Sequence, residues 1–244
     1  MADSRTKPQV VVTDAVGAVA GARVVASIQA VLTQRAHCRL ALSGGSSVVP
    51  VLQWLADNLE PALLRALTVT WVDERHLPVA TGMPWKHLPE GSNLRLAWEH
   101  WLSRCAVPPS LVPMALPGSL SEAAERYTDA FTARLGRVDV VLLGAGPDGH
   151  IASLFPGHAA LAATGVCVAV DDSPKPPPQR ISLTLEVLED VDHVVFVAMG
   201  SSKAAAVGRA HAGDASIPLG RYQPRGAVHW VLDATAAAEI RVDS

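Results

Sequence analysis

The segment VDVVLLGAGPDGH, residues 138–150, indicates the fold most directly. It joins a short apolar run, typical of a buried β-strand, to a glycine-rich loop. Similar apolar runs occur on both sides of it, at residues 9–13, 38–42, 68–72, 166–170, 193–198 and 227–232. Longer segments with helical spacing separate most of these runs. The alternation predicts βαβ units, and therefore an α/β fold with a mainly parallel sheet and helices on both faces.

Capping signals mark the start of two predicted helices. Ser92 is a suitable N-cap for a helix predicted over residues 92–104. Ser119 and Glu122 have the spacing of a capping box, and apolar residues then recur every three or four positions to about residue 134. The other helices are predicted at residues 14–34, 48–58 and 202–212. Because no repeat or long linker interrupts the pattern, we expect residues 1–244 to form one α/β domain.

The composition argues against several classes of protein. Of 244 residues 49% are apolar, and 20 basic against 23 acidic residues give a net charge of −3 without a basic block, so nucleic-acid binding is not expected. The three cysteines form no CxxC pair, which argues against a zinc ribbon or a disulfide framework. The N-terminus lacks the apolar core of a signal peptide, and the longest uncharged stretch, 151–170, contains Pro156. We therefore expect no membrane contact and a cytoplasmic location.

Polar loops next to the predicted strands are the candidates for chemistry, because ligands of open α/β sheets bind outside the carboxyl ends of the strands. The first loop, residues 43–47, reads SGGSS. Its glycines let the backbone approach an anion, which N–H groups at the next helix start and serine hydroxyls can bind. No GK[ST] ending follows, so this is not a P-loop, and an ordinary glycine-rich turn is the alternative.

Three further segments concentrate charged side chains. Residues 73–76 read DERH and include Asp73 and Arg75, which favours either a functional cluster or a surface turn with a local ion pair. In KPPPQR, residues 175–180, two cations flank a stiff proline run that could clamp a phosphate, or form a rigid surface loop. Lys203, at a predicted helix start, is another phosphate-binding candidate, and a plain surface lysine is the alternative.

Residues 144–149 also match the pattern G-x-G-x-x-G, so a nicotinamide dinucleotide site has to be considered, with Asp171 at a suitable distance. Pro147 stands where that motif enters its helix, Pro156 would cut the helix short, and the motif lies in the middle of the chain. The better interpretation is a loop that presents Asp148 and His150 to a cleft. Imidazole titrates near pH 6.5 and can transfer protons at neutral pH.

These loops, in this order, resemble the 6-phosphogluconolactonase family. The matching segments are LALSGGSS (40–47), WVDERHLP (71–78), SNLRLA (92–97), LLGAGPDGHIASLFPGH (142–158), PKPPPQRISLTL (174–185), VVFVAMGSSKAAAV (194–207) and QPRGAVHWVLD (223–233). The most specific feature is DGH followed by ASLFPG, since related glucosamine-6-phosphate deaminases continue with an AFNEPG-like run. The resemblance implies an α/β fold of the deaminase/ribose-5-phosphate isomerase type.

The resemblance also implies roles for individual residues. It identifies His150 as the catalytic base and Arg75 as an active-site arginine, while Asp148 shapes the loop. Positions at the phosphate end match Ser43, Gly44, Gly45, Ser46, Lys175 and Arg180, and we group Asp73, Asp148 and Lys203 with them as substrate-binding. The sequence departs from the family pattern at Ser47 and Ile151, where threonine is common, and in a long segment at residues 79–91.

The expected function is hydrolysis of 6-phospho-D-glucono-1,5-lactone to 6-phospho-D-gluconate in the oxidative pentose phosphate pathway. His150 would activate water, and no metal or other cofactor is expected, because there is no HExxH motif or Cys/His cluster. The alternatives are a glucosamine-6-phosphate deaminase or sugar-phosphate isomerase, a non-catalytic sugar-phosphate binding protein, and the dehydrogenase already considered. The expected partner is a small sugar phosphate, and the expected assembly is a monomer or small homo-oligomer.

Overall fold

The structure, a computed structural model, describes residues 8–240, and these contain ten β-strands and eight α-helices. The strands are β1 (Gln9–Val12), β2 (Cys38–Leu42), β3 (Leu67–Trp71), β4 (Asp73–Arg75), β5 (Ser110–Leu111), β6 (Val140–Leu143), β7 (Cys167–Val170), β8 (Arg180–Leu183), β9 (His193–Ala198) and β10 (Ala227–Leu232). The helices are α1 (Val16–Leu32), α2 (Val49–Asn58), α3 (Pro61–Arg65), α4 (Asn93–His100), α5 (Leu120–Arg134), α6 (Leu185–Glu189), α7 (Ala204–His211) and α8 (Pro218–Arg221).

Seven strands form a parallel sheet in the order β1-β10-β9-β6-β2-β3-β5, which confirms the predicted α/β class. Its central strands are buried along their length because they are apolar on both faces. From β2 the chain continues outward to β3, whereas from β6 it continues the other way to β9 and β10. The loops after β2 and β6 therefore leave neighbouring strands at a topological switch point, where α/β proteins bind ligands.

A second, antiparallel sheet of three strands, β4-β8-β7, was not predicted. Residues 73–76 and 175–180 were interpreted as loops, but Asp73–Arg75 and Arg180 belong to paired strands. The chain passes between the sheets at Val72, whose N–H donates to Leu42 in the first sheet and whose carbonyl accepts from Leu183 in the second. β7 corresponds to the apolar run predicted at residues 166–170. β4 and β8 are short and contain charged residues, so they carry no alternating apolar pattern by which the sequence would reveal them.

The capping predictions are confirmed. Ser92 Oγ accepts a hydrogen bond from Arg95 N at the start of α4, and Ser119 and Glu122 form the capping box of α5. The predicted helix over 92–104 ends earlier, at His100, and a separate 3-10 turn covers Leu102–Arg104. No helix within residues 8–240 is both long and apolar enough to span a membrane.

A buried charge network lies at the amino end of the sheet, on the edge opposite the switch-point loops. Asp139, directly before β6, is fully buried and accepts from Arg39 N at 2.8 Å. Its carboxylate also lies 3.1 Å from Arg35 Nη1 and 3.2 Å from Arg137 Nε. The Asp192 carboxylate also forms ion pairs with Arg35 and Arg137. One buried carboxylate thus compensates several cations that join β2, β6 and the segment before β9.

Asp139→Asn is expected to lower the free energy of unfolding by about 3 kcal/mol, because it leaves these arginines without their buried counter-charge. Urea unfolding followed by circular dichroism measures this change. The control is Asp190→Asn, because the Asp190–Arg225 pair is exposed and such pairs contribute about 0–1 kcal/mol. Equal losses in the two variants would contradict a stabilising role for the Asp139 network.

Candidate active site

A cavity of about 300 Å³ opens at the switch point, between the loop after β2 and the loop after β6. Side chains from β4, from the start of α4 and from the segment before β8 close its other sides. Every predicted site residue except Asp148 lines this cavity. The two sheets therefore bring together residues that lie far apart in the sequence, as expected for a ligand site in this class of fold.

The loop at residues 43–47 forms one wall of the cavity. Two of its serines are anchored: Ser43 Oγ accepts from Gly144 N, and Ser47 Oγ accepts from Met199 N, both at 3.2 Å. A side chain at Gly44 would have its Cβ 1.9 Å from Asn93 Oδ1, so only glycine fits there. No side chain caps the start of α2 just beyond the loop. Because the N–H groups of Val48, Val51 and Leu52 donate to backbone carbonyls, α2 favours an anion in the loop mainly through its helix dipole.

Glu74, the middle residue of the DER segment, is buried beneath the cavity and holds α4 in place. Its carboxylate accepts from the backbone N–H groups of Arg75, Asn93 and Leu94, and from Ser92 Oγ. Burial raises the pKa of Glu74 to about 7, and these hydrogen bonds oppose a larger rise. This ionisable residue of the motif thus joins β4 to the amino end of α4 and does not line the cavity.

Asp73 lies in the cavity wall with both carboxylate oxygens engaged. Oδ1 accepts from Asn93 Nδ2 at 3.0 Å, and Oδ2 accepts from Ser153 Oγ at 2.6 Å. Arg180 Nη1 is 3.9 Å from Oδ2. Asn93 also lines the cavity, and the sequence analysis did not identify it. The available signal was its position: an amide side chain directly after the predicted N-cap Ser92 lies at the start of a helix.

His150 and Asp148 form a close pair on the loop after β6. His150 Nδ1 lies 2.6 Å from Asp148 Oδ1, and the imidazole packs against the Phe155 ring at 4.5 Å between centroids. The backbone allows this position because residue 146 is glycine: a Cβ there would lie 2.1 Å from two imidazole atoms. Asp148 itself stands behind the ring and does not line the cavity.

The hydrogen bond to Asp148 fixes the tautomer of the His150 imidazole. Burial outweighs the attraction of Asp148 and lowers the pKa of His150, so the ring is neutral at pH 7. Burial opposes ionisation of Asp148, but His150 and Lys175 outweigh it and lower the pKa of Asp148 to about 2. Because a carboxylate can only accept, Nδ1 carries the proton and donates it to Asp148. Nε2 is left with an unshared pair and has no hydrogen-bond partner within residues 8–240.

Four cationic side chains surround the cavity. Arg75 Nη1 donates to the Gly91 carbonyl at 2.5 Å, while its buried Nε has no partner among the described residues. Lys203 Nζ donates to the Ala145 carbonyl at 2.8 Å. Arg180 Nε and Nη2 donate to the carbonyls of residues 175–177, and Nη1 has no hydrogen bond among the described residues. Lys175 is directed to the Asp148–His150 pair, with Nζ 3.0 Å from Asp148 Oδ1.

The dinucleotide interpretation of residues 144–149 does not fit the structure. No α-helix begins in residues 145–158; instead Ile151 forms bridges with Ala145 and Leu154, and a 3-10 turn follows at Ala159–Ala162. A pyrophosphate would lack the helix N-terminus that this motif normally provides. Residues 8–240 also contain no group of three or more His, Cys, Asp or Glu side chains that could hold a metal ion.

Comparison with known proteins identifies the relatives of this site. The family model described as glucosamine-6-phosphate isomerases/6-phosphogluconolactonase matches residues 12–230. The chain belongs to this family. The 6-phosphogluconolactonase of Rattus norvegicus is 39% identical over 222 residues, covering 85% of this chain and 82% of the rat protein. The 6-phosphogluconolactonase of Mycobacterium tuberculosis is 35% identical over 243 residues, covering 93% and 95%.

A solved family structure has the same architecture. The 6-phosphogluconolactonase of Trypanosoma brucei matches with a TM-score of 0.79 at 27% identity, over 96% of this chain and 99% of that one. The family resemblance inferred from the loop motifs is therefore confirmed, as is the fold it implied. Of the two single-residue departures from the family pattern, Ser47 accepts a hydrogen bond from Met199 N, and Ile151 is buried outside the cavity lining.

Proposed function

We propose that this protein hydrolyses 6-phospho-D-glucono-1,5-lactone to 6-phospho-D-gluconate. The observation that carries the proposal is the oriented Asp148–His150 pair, whose free Nε2 adjoins a cavity surrounded by cations. The rat and mycobacterial relatives named 6-phosphogluconolactonase support the same activity. A cyclic ester with a phosphate tail matches both parts of the site, because the ester needs a base and the phosphate needs positive charge.

In the proposed mechanism, Nε2 of His150 removes a proton from a water molecule as that water attacks the C1 carbonyl carbon. The carbonyl oxygen becomes an oxyanion in the tetrahedral intermediate, and the guanidinium group of Arg75, which lines the cavity, donates to it. The intermediate collapses by breaking the bond between C1 and the ring oxygen. The imidazolium returns its proton to that oxygen, which becomes the C5 hydroxyl. No step needs a metal ion, since the lactone is already reactive and the imidazole moves the proton.

The phosphate would lie at the other end of the cavity, against the loop at residues 43–47 and the start of α2. Lys203 is the first cationic group available there, because it bonds to the neutral Ala145 carbonyl, whereas the charge of Lys175 is compensated by Asp148. Nη1 of Arg180 is the second, since Nε and Nη2 donate to backbone carbonyls. Binding energy from this remote group orients the ester bond toward His150.

Lys203→Met is expected to raise KM for the phosphorylated lactone by about tenfold or more, because it removes one charged hydrogen bond to phosphate. The KM for unphosphorylated glucono-1,5-lactone should stay unchanged, and kcat should change less than KM. Initial rates with both lactones measure this. A similar KM rise with both substrates would contradict a phosphate-binding role for Lys203.

The proposed activity is tested by assaying one preparation for two reactions. Acid release from 6-phosphoglucono-1,5-lactone is followed above the spontaneous rate, with a chelator present, and ammonia release from glucosamine 6-phosphate is measured in parallel. We expect lactone hydrolysis and no ammonia. Ammonia release without lactonase activity would assign the protein to the deaminases of the family, and binding without turnover would make it a sugar-phosphate binding protein.

A further inference from the structure

Lys175 differs from the other cations of the cavity in what its ammonium group contacts. Nζ lies 3.0 Å from Asp148 Oδ1 and 3.3 Å from His150 Nδ1, on the side of the imidazole that already binds Asp148. Because Nδ1 donates to Asp148, the ammonium group cannot also donate to Nδ1. Its hydrogen bond goes to the carboxylate, and its charge stands beside the imidazole ring without a bond to it.

The backbone holds Lys175 in this position. Its carbonyl accepts from Arg180 Nη2 at 3.1 Å and from Ser173 Oγ at 3.0 Å. Its N–H donates back to Ser173 Oγ. Arg180 in turn is buried, with its guanidinium 5.9 Å from the Phe155 ring on which His150 packs. Arg180 therefore connects the backbone of Lys175 to Phe155, and the His150 imidazole packs against the same ring.

We propose that Lys175 is a positioning residue of the catalytic pair: its ammonium group holds the Asp148 carboxylate against the imidazole and keeps Nε2 of His150 unprotonated and able to accept a proton. The proposal rests on the proposed lactonase function, because it assigns Lys175 to the base of that reaction. It also removes Lys175 from the phosphate end of the cavity, where the sequence placed it.

The charges around His150 are few, so the effect of Lys175 can be separated from the others. Asp148 on the same loop and Asp73 on β4 favour the imidazolium, whereas burial and Lys175 oppose it. Lys203, from the turn before α7, contacts the Ala145 carbonyl and interacts with both Lys175 and Asp148. Removing only the charge of Lys175 therefore leaves both carboxylates to stabilise the protonated ring.

The test compares pH–rate profiles of Lys175→Met, Lys175→Gln, Lys175→Arg and the wild type. The acid limb of kcat/KM reports the pKa of His150 in the free enzyme. For both neutral variants we expect this limb to move to higher pH by about one unit, because a like charge beside the ring is lost. Lys175→Arg should keep the limb near the wild-type position. Lys86→Met, which removes a lysine charge from the 79–91 segment, should not move it.

Two further measurements, the KM for the phosphorylated lactone and an NMR titration of His150, distinguish the ways in which the proposal for Lys175 can be wrong. If Lys175 binds phosphate instead, the neutral variants will raise KM for the phosphorylated lactone only and leave the acid limb in place, which would overturn the proposal. Titration of the His150 ring by NMR, assigned with His150→Gln, needs no turnover and so tests Lys175 even if the lactonase function fails. A wild-type ring that titrates at or above pH 6.5, or the same titration in wild type and Lys175→Met, would also overturn it.

Discussion

His150→Gln is expected to lower kcat for lactone hydrolysis by about 10³-fold, the range typical of a positioned general base. Glutamine can still donate to Asp148, so the loop after β6 should keep its shape. It cannot accept and return a proton at neutral pH. The measurement is the initial rate of acid release, corrected for spontaneous opening of the lactone, with the free energy of unfolding determined for the same preparation.

A second histidine supplies the control for this variant. His158 lies on the same segment, its ring also meets Phe155, and its Nε2 is 2.7 Å from Asp172 Oδ1. Its Nδ1 accepts from Ala160 N, so its proton is on the other nitrogen, and it does not line the cavity. His158→Gln should leave kcat nearly unchanged. If the two histidine variants lose activity equally, His150 is not the base.

Asp148→Asn is expected to lower kcat by about 10²- to 10³-fold, because an amide no longer selects the tautomer with its proton on Nδ1. An asparagine NH₂ group can donate to Nδ1 and so favour the ring with its proton on Nε2, which cannot act as a base. Loss of the carboxylate also lowers the pKa of His150 further, since Asp148 raises it more than Asp73 does. The remaining activity should therefore have its acid limb at lower pH, opposite to the shift expected for Lys175→Met.

Asp172→Asn is the matched control, because Asp172 is paired with His158 away from the cavity and is largely exposed. It should retain wild-type kcat and an unchanged acid limb. Asp148 has a pKa of about 2, so its own titration cannot produce an acid limb in the range where a histidine titrates. An acid limb in Asp148→Asn at higher pH than in the wild type would contradict the assigned arrangement of charges.

The parallel sheet could be predicted from the sequence because its strands are apolar on both faces. The runs at 38–42, 193–198 and 227–232 match β2, β9 and β10 residue for residue. Helix starts were accurate where a side chain caps the backbone, as at Ser92 and Ser119. The antiparallel sheet was missed because β4 and β8 are short and begin or end in charged residues, which resemble loops in a sequence.

The site was predictable in position more than in detail. Polar loops at the carboxyl ends of parallel strands lie at one edge of the sheet, so sequence reasoning could place His150 and the 43–47 loop in one cavity. It could not find the partners of each charge. The donors that bind Glu74 lie at the start of α4, about twenty positions further along the chain, and the contact between Lys175 and Asp148 joins positions 27 residues apart.

The carboxylate of Glu74 binds both ends of one excursion of the chain, since Arg75 N precedes residues 76–91 and Asn93 N follows them. Extra length in a closed loop costs only about 0.6 kcal/mol for each doubling. The segment between them can therefore change in length at little cost while Arg75 and Asn93, which line the cavity, keep their positions. One buried acidic side chain thereby makes the geometry of two cavity-lining residues independent of the length of the chain that separates them.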